Sequence, residues 1–103
     1  MNVRLKPLNF ALAYILKHGE SFYHLDNSLT TIKLRDYKIK FVYEYCLSKQ
    51  YIASLENINF DIIVNLHNWN GAGSISTDAK ELASNLQIEL YTMDDFYGFV
   101  KSL

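Results

Sequence analysis

The run LDNSLTTIKLRDYK, residues 25 to 38, gathers two carboxylates, Asp26 and Asp36, and an amine, Lys38, in one short stretch. If residues 36 and 38 lie on one strand, their side chains leave it on the same face, so an acid and an ammonium can meet a single phosphate. Paired carboxylates are hard oxygen ligands suited to Mg2+ or Mn2+. Such an ion polarises a phosphodiester and activates water, while a lysine steadies the charge that develops. The expected site therefore has Asp26 and Asp36 as metal ligands and, together with Lys38, as the catalytic set. The competing reading is plain: an Asp-x-Lys triplet also occurs on any solvated strand edge.

A second candidate is NLHNWNGAGSISTDAKELA, residues 65 to 83, in which an apolar run passes through two glycines into a helical pattern. Free amides at a helix start attract anions, and glycine lets an anion approach the main chain. Asn70, Gly71 and Gly73 would line such a contact. Gly71-Ala72-Gly73 lacks the third glycine of a dinucleotide fingerprint and no Gly-Lys-Ser/Thr follows, so a flexible loop is the alternative. His67 has no second histidine at ligand spacing. Ser74 and Ser76 lack the flanking glycines of a nucleophile elbow.

The net charge of −1 conceals an asymmetry. Residues 1 to 49 carry eight basic and four acidic side chains, whereas residues 50 to 103 carry two and seven. Lys33, Arg35 and Lys40 cluster around the Asp-x-Lys triplet, and a positive face there would attract phosphate backbones. Mutual neutralisation of the two halves explains the same split. Cys46 is the only cysteine, which excludes an internal disulfide and a cysteine-based zinc cage and suits a reducing compartment.

Elements to position these groups can be read from periodicity. Pro7 suits a first helical turn, Leu8, Ala11, Leu12 and Ile15 follow helical spacing, and Lys17-His18-Gly19 forms an end signal. Residues 21 to 25 and 29 to 35 read as a β-hairpin about Asp26-Asn27-Ser28. Between Lys38 and Ile58 both periods fit, and the expectation is a strand ending near residue 40 and a helix from about 41 to 56. FDIIVNL, residues 60 to 66, has the continuous apolar character of a strand buried on both faces. Ala79, Leu82, Ala83 and Leu86 mark a helix capped by Ser76 or Thr77, residues 88 to 93 a strand, and Asp94 the cap of a last helix with Phe96, Val100 and Leu103 inward. The expected fold is one α/β domain over residues 1–103, ordered α-β-β-α-β-α-β-α, with a central mixed sheet flanked by helices and parallel pairing in the second half.

Asp26 followed by Asp36-Tyr37-Lys38 is similar to the acidic pair and lysine of the PD-(D/E)XK nuclease superfamily. ISTDAKELA, residues 75 to 83, followed by Ile88-Glu89-Leu90, resembles the closing segment of its Mrr-type restriction endonuclease members. That resemblance implies a restriction-endonuclease-like, metal-dependent DNA-cleaving core, or a degenerate DNA-binding relative, whose first helix packs beside the catalytic hairpin. A different class of function is a small non-enzymatic homodimer, suggested by aromatic residues making up 15% of the chain. No run approaches the roughly 18 apolar residues of a membrane span, and a cytoplasmic protein is expected.

Overall fold

Helix α1 (Leu5–Lys17) buries Leu8, Ala11 and Ile15, the stripe its spacing requires. It stops in a Schellman turn: the Glu20 amide donates to the Ile15 carbonyl at 3.2 Å, and the Gly19 amide to that of Leu16 at 3.0 Å, with Gly19 at φ 78°. The computed structural model describes residues 5–25, 28–55, 59–67 and 74–103. Asp26 and the turn residues Asn70, Gly71 and Gly73 lie outside the described residues.

Strands β1 (Phe22–His24), β2 (Thr31–Leu34) and β3 (Tyr37–Val42) form an antiparallel meander; β4 (Ile62–Asn65) and β5 (Glu89–Tyr91) then join in parallel. Spatial order follows chain order, β1-β2-β3-β4-β5. Helices α2 (Lys49–Ser54), α3 (Thr77–Asn85) and α4 (Met93–Lys101) complete an α/β domain with a mixed sheet. On one face Ile32, Leu34, Ile39, Phe41, Ile62 and Val64 pack against α1 and α4. On the other, Val42 and Ile63 pack against α2 and α3, so β4 is buried on both faces as its apolar run requires.

Three expectations need correction. The order is α-β-β-β-α-β-α-β-α, one strand more than periodicity implied, because residues 31 to 42 fold back on themselves. Leu34 pairs with Tyr37 across a two-residue turn, Arg35-Asp36, in which Arg35 has φ 53°. This folding lets Ile32 and Leu34 share one buried face with Ile39 and Phe41. Residues 41 and 42 extend β3, and α2 starts only at Lys49, where Ser48 accepts a hydrogen bond from the Tyr51 amide. Finally, Thr92 and not Asp94 caps α4, in a capping box with Asp95; Ser76 caps α3.

Helix α3 also ends in a Schellman turn, with the Ile88 amide on the Ala83 carbonyl at 2.8 Å and the Gln87 amide on that of Ser84 at 3.1 Å. Here the left-handed position is held by Gln87 at φ 59°. A Cβ is strained there, so Gln87→Gly is expected to stabilise the fold by about 0.5–1 kcal/mol, read as a raised midpoint in urea unfolding. An unchanged or lowered midpoint would show that the Gln87 side chain compensates for its backbone.

Candidate nucleic-acid interface

Alternation along the β2–β3 hairpin decides which side chains meet. With Ile32, Leu34, Ile39 and Phe41 turned toward α1 and α4, the intervening Thr31, Lys33, Lys38 and Lys40 leave the opposite face. Register then sets Lys33 beside Lys38 and Thr31 beside Lys40. The hydrophobic cluster on that side takes no residue from β1 or β2 among the described residues; Thr31 is buried there and the three lysines beside it are half-buried. Tyr23, paired with Lys33, is exposed next to them. Like charges directly opposite each other are destabilising, and the fold carries that cost at Lys33 and Lys38.

Lys40 is the most constrained of the three. Its Nζ donates to Thr30 Oγ1 at 2.8 Å, and that oxygen lies 3.1 Å from Ser28 Oγ. Burial pushes the Lys40 ammonium below its usual pKa, because partial desolvation disfavours the charge. An arriving anion would reverse that effect. Nothing in the sequence singles out Ser28 and Thr30, since polar residues before a strand read simply as turn formers.

The remaining expected site residues do not join this face in the way anticipated. Asp36 is exposed in the hairpin turn and precedes β3, so it does not share a strand face with Lys38. Arg35 is engaged elsewhere: Nε and Nη2 donate to the two carboxylate oxygens of Glu20 at 2.8 and 2.7 Å. Asp61, across from Lys38, accepts from the Lys38 backbone amide at 2.8 Å. Among the described residues no group of three His, Cys, Asp or Glu side chains could hold a metal ion. Asp26, one of the two carboxylates expected to hold Mg2+ or Mn2+, lies outside the described residues.

The Arg35 hydrogen bonds, followed by its charge, lower the Glu20 pKa below the ordinary 4.5 despite some opposing desolvation. The resulting stability is present above the unfolded value and disappears as pH falls through the folded one. Glu20→Gln is thus expected to lower thermal stability slightly at neutral pH and to leave it equal to that of the parent in strong acid. A difference that persists below the carboxylate range would mean that the pair does not act through ionisation. Added salt should shrink the effect.

Behind the hairpin, Asn65 ends β4 completely buried. Its Oδ1 accepts from the Glu44 amide at 3.1 Å and the His67 amide at 3.2 Å, while Nδ2 donates to the carbonyls of Glu44 at 2.8 Å and Ser74 at 2.9 Å. This one amide ties together the segments that follow β3 and β4 and the one that leads into α3. The His67 ring lies against Tyr43, with centroids 4.8 Å apart, and against Tyr45 at 5.5 Å.

No described helix is long and apolar enough to cross a membrane. Compared with known proteins, the chain matches no family model, no curated protein and no solved structure.

Proposed function

We propose that this chain is a nuclease-like α/β domain that grips the DNA backbone with Lys33, Lys38 and Lys40, as a relative that binds DNA without cleaving it. The observation that carries this reading is the placement of those three half-buried lysines on one sheet face, where none forms an ion pair among the described residues. Phosphate contacts of this kind supply affinity without sequence selection. The packing of α1 on the hairpin's opposite face, through Leu8, Ala11 and Ile15, supports the restriction-endonuclease-like resemblance. Displacement of Asp36 into the turn favours binding over cleavage.

Fluorescence anisotropy with single-stranded, duplex and branched DNA tests the proposal. Binding is expected at low salt, weakening as salt rises. The triple variant Lys33→Ala/Lys38→Ala/Lys40→Ala should flatten the log K against log salt slope by about 0.9 for each duplex phosphate it no longer neutralises, or roughly 2 to 3 in total. A slope identical to that of the parent chain, or no binding to any DNA, defeats the reading. Adding Mg2+ or Mn2+ to labelled DNA examines cleavage directly: strand scission abolished by Asp36→Ala would restore Asp26, Asp36 and Lys38 as a catalytic set.

A second reading, the homodimer, draws on a narrower surface than the aromatic content suggests. Tyr14, Phe22, Tyr43, Tyr91, Tyr97 and Phe99 pack against the core. Phe10, Tyr23, Tyr37 and Tyr45 are exposed, and of these Tyr23 lies on β1, an edge strand that offers unpaired backbone groups to another strand. Light scattering at high concentration decides it, since a monomer throughout rules out pairing of two copies.

A further inference from the structure

On the face of the sheet opposite the lysines, a cavity of about 450 Å³ opens where β3, β4 and β5 end. Ligands of open α/β sheets gather at the carboxyl ends of parallel strands, and this volume falls in the usual range for small-molecule sites. Leu66 and Met93, both buried, contribute its apolar lining just beyond β4 and β5. Tyr43, Tyr97 and Phe10 add aromatic rings. Two of these rings are held by neighbours: Tyr97 lies 4.4 Å from the Tyr14 ring, and Tyr43 lies 4.8 Å from that of His67. Flat, pre-positioned rings favour a flat ligand, because little side-chain freedom is given up on stacking.

Charge divides the lining. Lys6, in the first turn of α1, brings an ammonium to the cavity, with His67 also among the lining residues. Burial, then Tyr14 and lastly Asp94 at the start of α4, push the Tyr97 phenol above its ordinary pKa. Lys6 is the lysine of the lining and draws an anionic group toward the α1 end of the cavity. A purely apolar ligand would leave the ammonium without a counter-charge.

We propose that this cavity binds a planar aromatic ring bearing an anionic group, of the class to which nucleoside monophosphates belong, with the ring stacked on Tyr43 and Phe10 and the phosphate at Lys6. The same chemistry is offered by a free mononucleotide and by the phosphorylated end of a strand. The site is separate from the lysine face and stands without it.

The test is titration of the full chain with AMP, UMP, a 5′-phosphorylated trinucleotide, indole and inorganic phosphate, followed by amide chemical shifts. Both mononucleotides are expected to shift amides of Leu66, His67 and Met93 at millimolar or lower concentration, with indole about tenfold weaker for want of a charge-assisted contact. Lys6→Glu should weaken the nucleotides about tenfold and spare indole, whereas Phe10→Ala should weaken both. Both residues are exposed, so the variants keep the parent fold. Equal affinity for trinucleotide and mononucleotide assigns a free nucleotide; tighter trinucleotide binding assigns a strand end. The proposal is overturned if millimolar nucleotide produces no shift at these amides, if Lys6→Glu changes nothing, or if indole matches AMP. It is also overturned if Lys33→Ala/Lys38→Ala/Lys40→Ala removes mononucleotide binding, which would move the ligand to the other face.

Discussion

Phe41→Ala is expected to lower the thermal midpoint by about 15–30 °C, following a loss of roughly 3–5 kcal/mol. Phe41 is fully buried on β3 and meets Phe96 of α4 edge to face, ring centroids 5.4 Å apart at 85°. Truncation removes that ring pair and opens a cavity between the sheet and the α1–α4 layer. The neighbours cannot collapse freely, since Ile39 and Val64 are fixed by strand pairing on either side. A domain of this size has a total stability of about 5–15 kcal/mol, so part of the population should be unfolded near body temperature. Phe41→Leu keeps most of the volume and should cost markedly less. Calorimetry of both variants checks the account, and a fall of only a few degrees for the alanine variant would show that α4 does not seal this face.

Asn65 carries the second large effect. Asn65→Leu is nearly isosteric, yet it should destabilise the fold by about 2–5 kcal/mol, because it removes four hydrogen bonds from part-buried and buried backbone groups at once. The amides of Glu44 and His67 and the carbonyl of Glu44 are bonded by the same side chain, which also donates to the Ser74 carbonyl beside the Leu47 amide. Asn65→Asp is the sharper probe. It keeps the acceptor for the two amides but replaces the donor with an oxygen facing two carbonyls, in a position with no exposure to water. Its stability should therefore improve as pH falls and the carboxyl group takes up a proton able to donate. Urea unfolding at several pH values gives the comparison. If Asn65→Leu unfolds at the parent midpoint, the amide is not the hub its hydrogen bonds describe.

Much of the architecture is legible in the chain because its signals are local. Leu8, Ala11 and Ile15 announce α1, Gly19 its end, and the unbroken FDIIVNL run the strand buried on both faces. Ser76 before Asp78 and Ala79 marks the start of α3. The extra strand is hidden because Arg35-Asp36 contains neither glycine nor asparagine, the residues that normally advertise a positive φ. The start of α2 is obscured because Phe41 and Tyr45 happen to sit four apart, while β3 claims the first and leaves the second exposed. Site residues fare unevenly for the same reason. Lys33, Lys38 and Lys40 converge because strand alternation is a local rule, whereas the pairing of Asp36 with Lys38 fails once a turn separates them.

From its residues alone this chain was bound to make a mixed α/β sheet with a cationic stretch at residues 33 to 40, since periodicity and charge act over a few neighbours and survive any reading of the whole. Tertiary structure decided which partners those groups obtained. It gave Arg35 to Glu20, Lys40 to Thr30 and Asn65 to three separate segments, and it left Lys33 and Lys38 side by side on paired strands. Each of these contacts joins residues distant in sequence or depends on strand register, and register is set by the burial of a whole face.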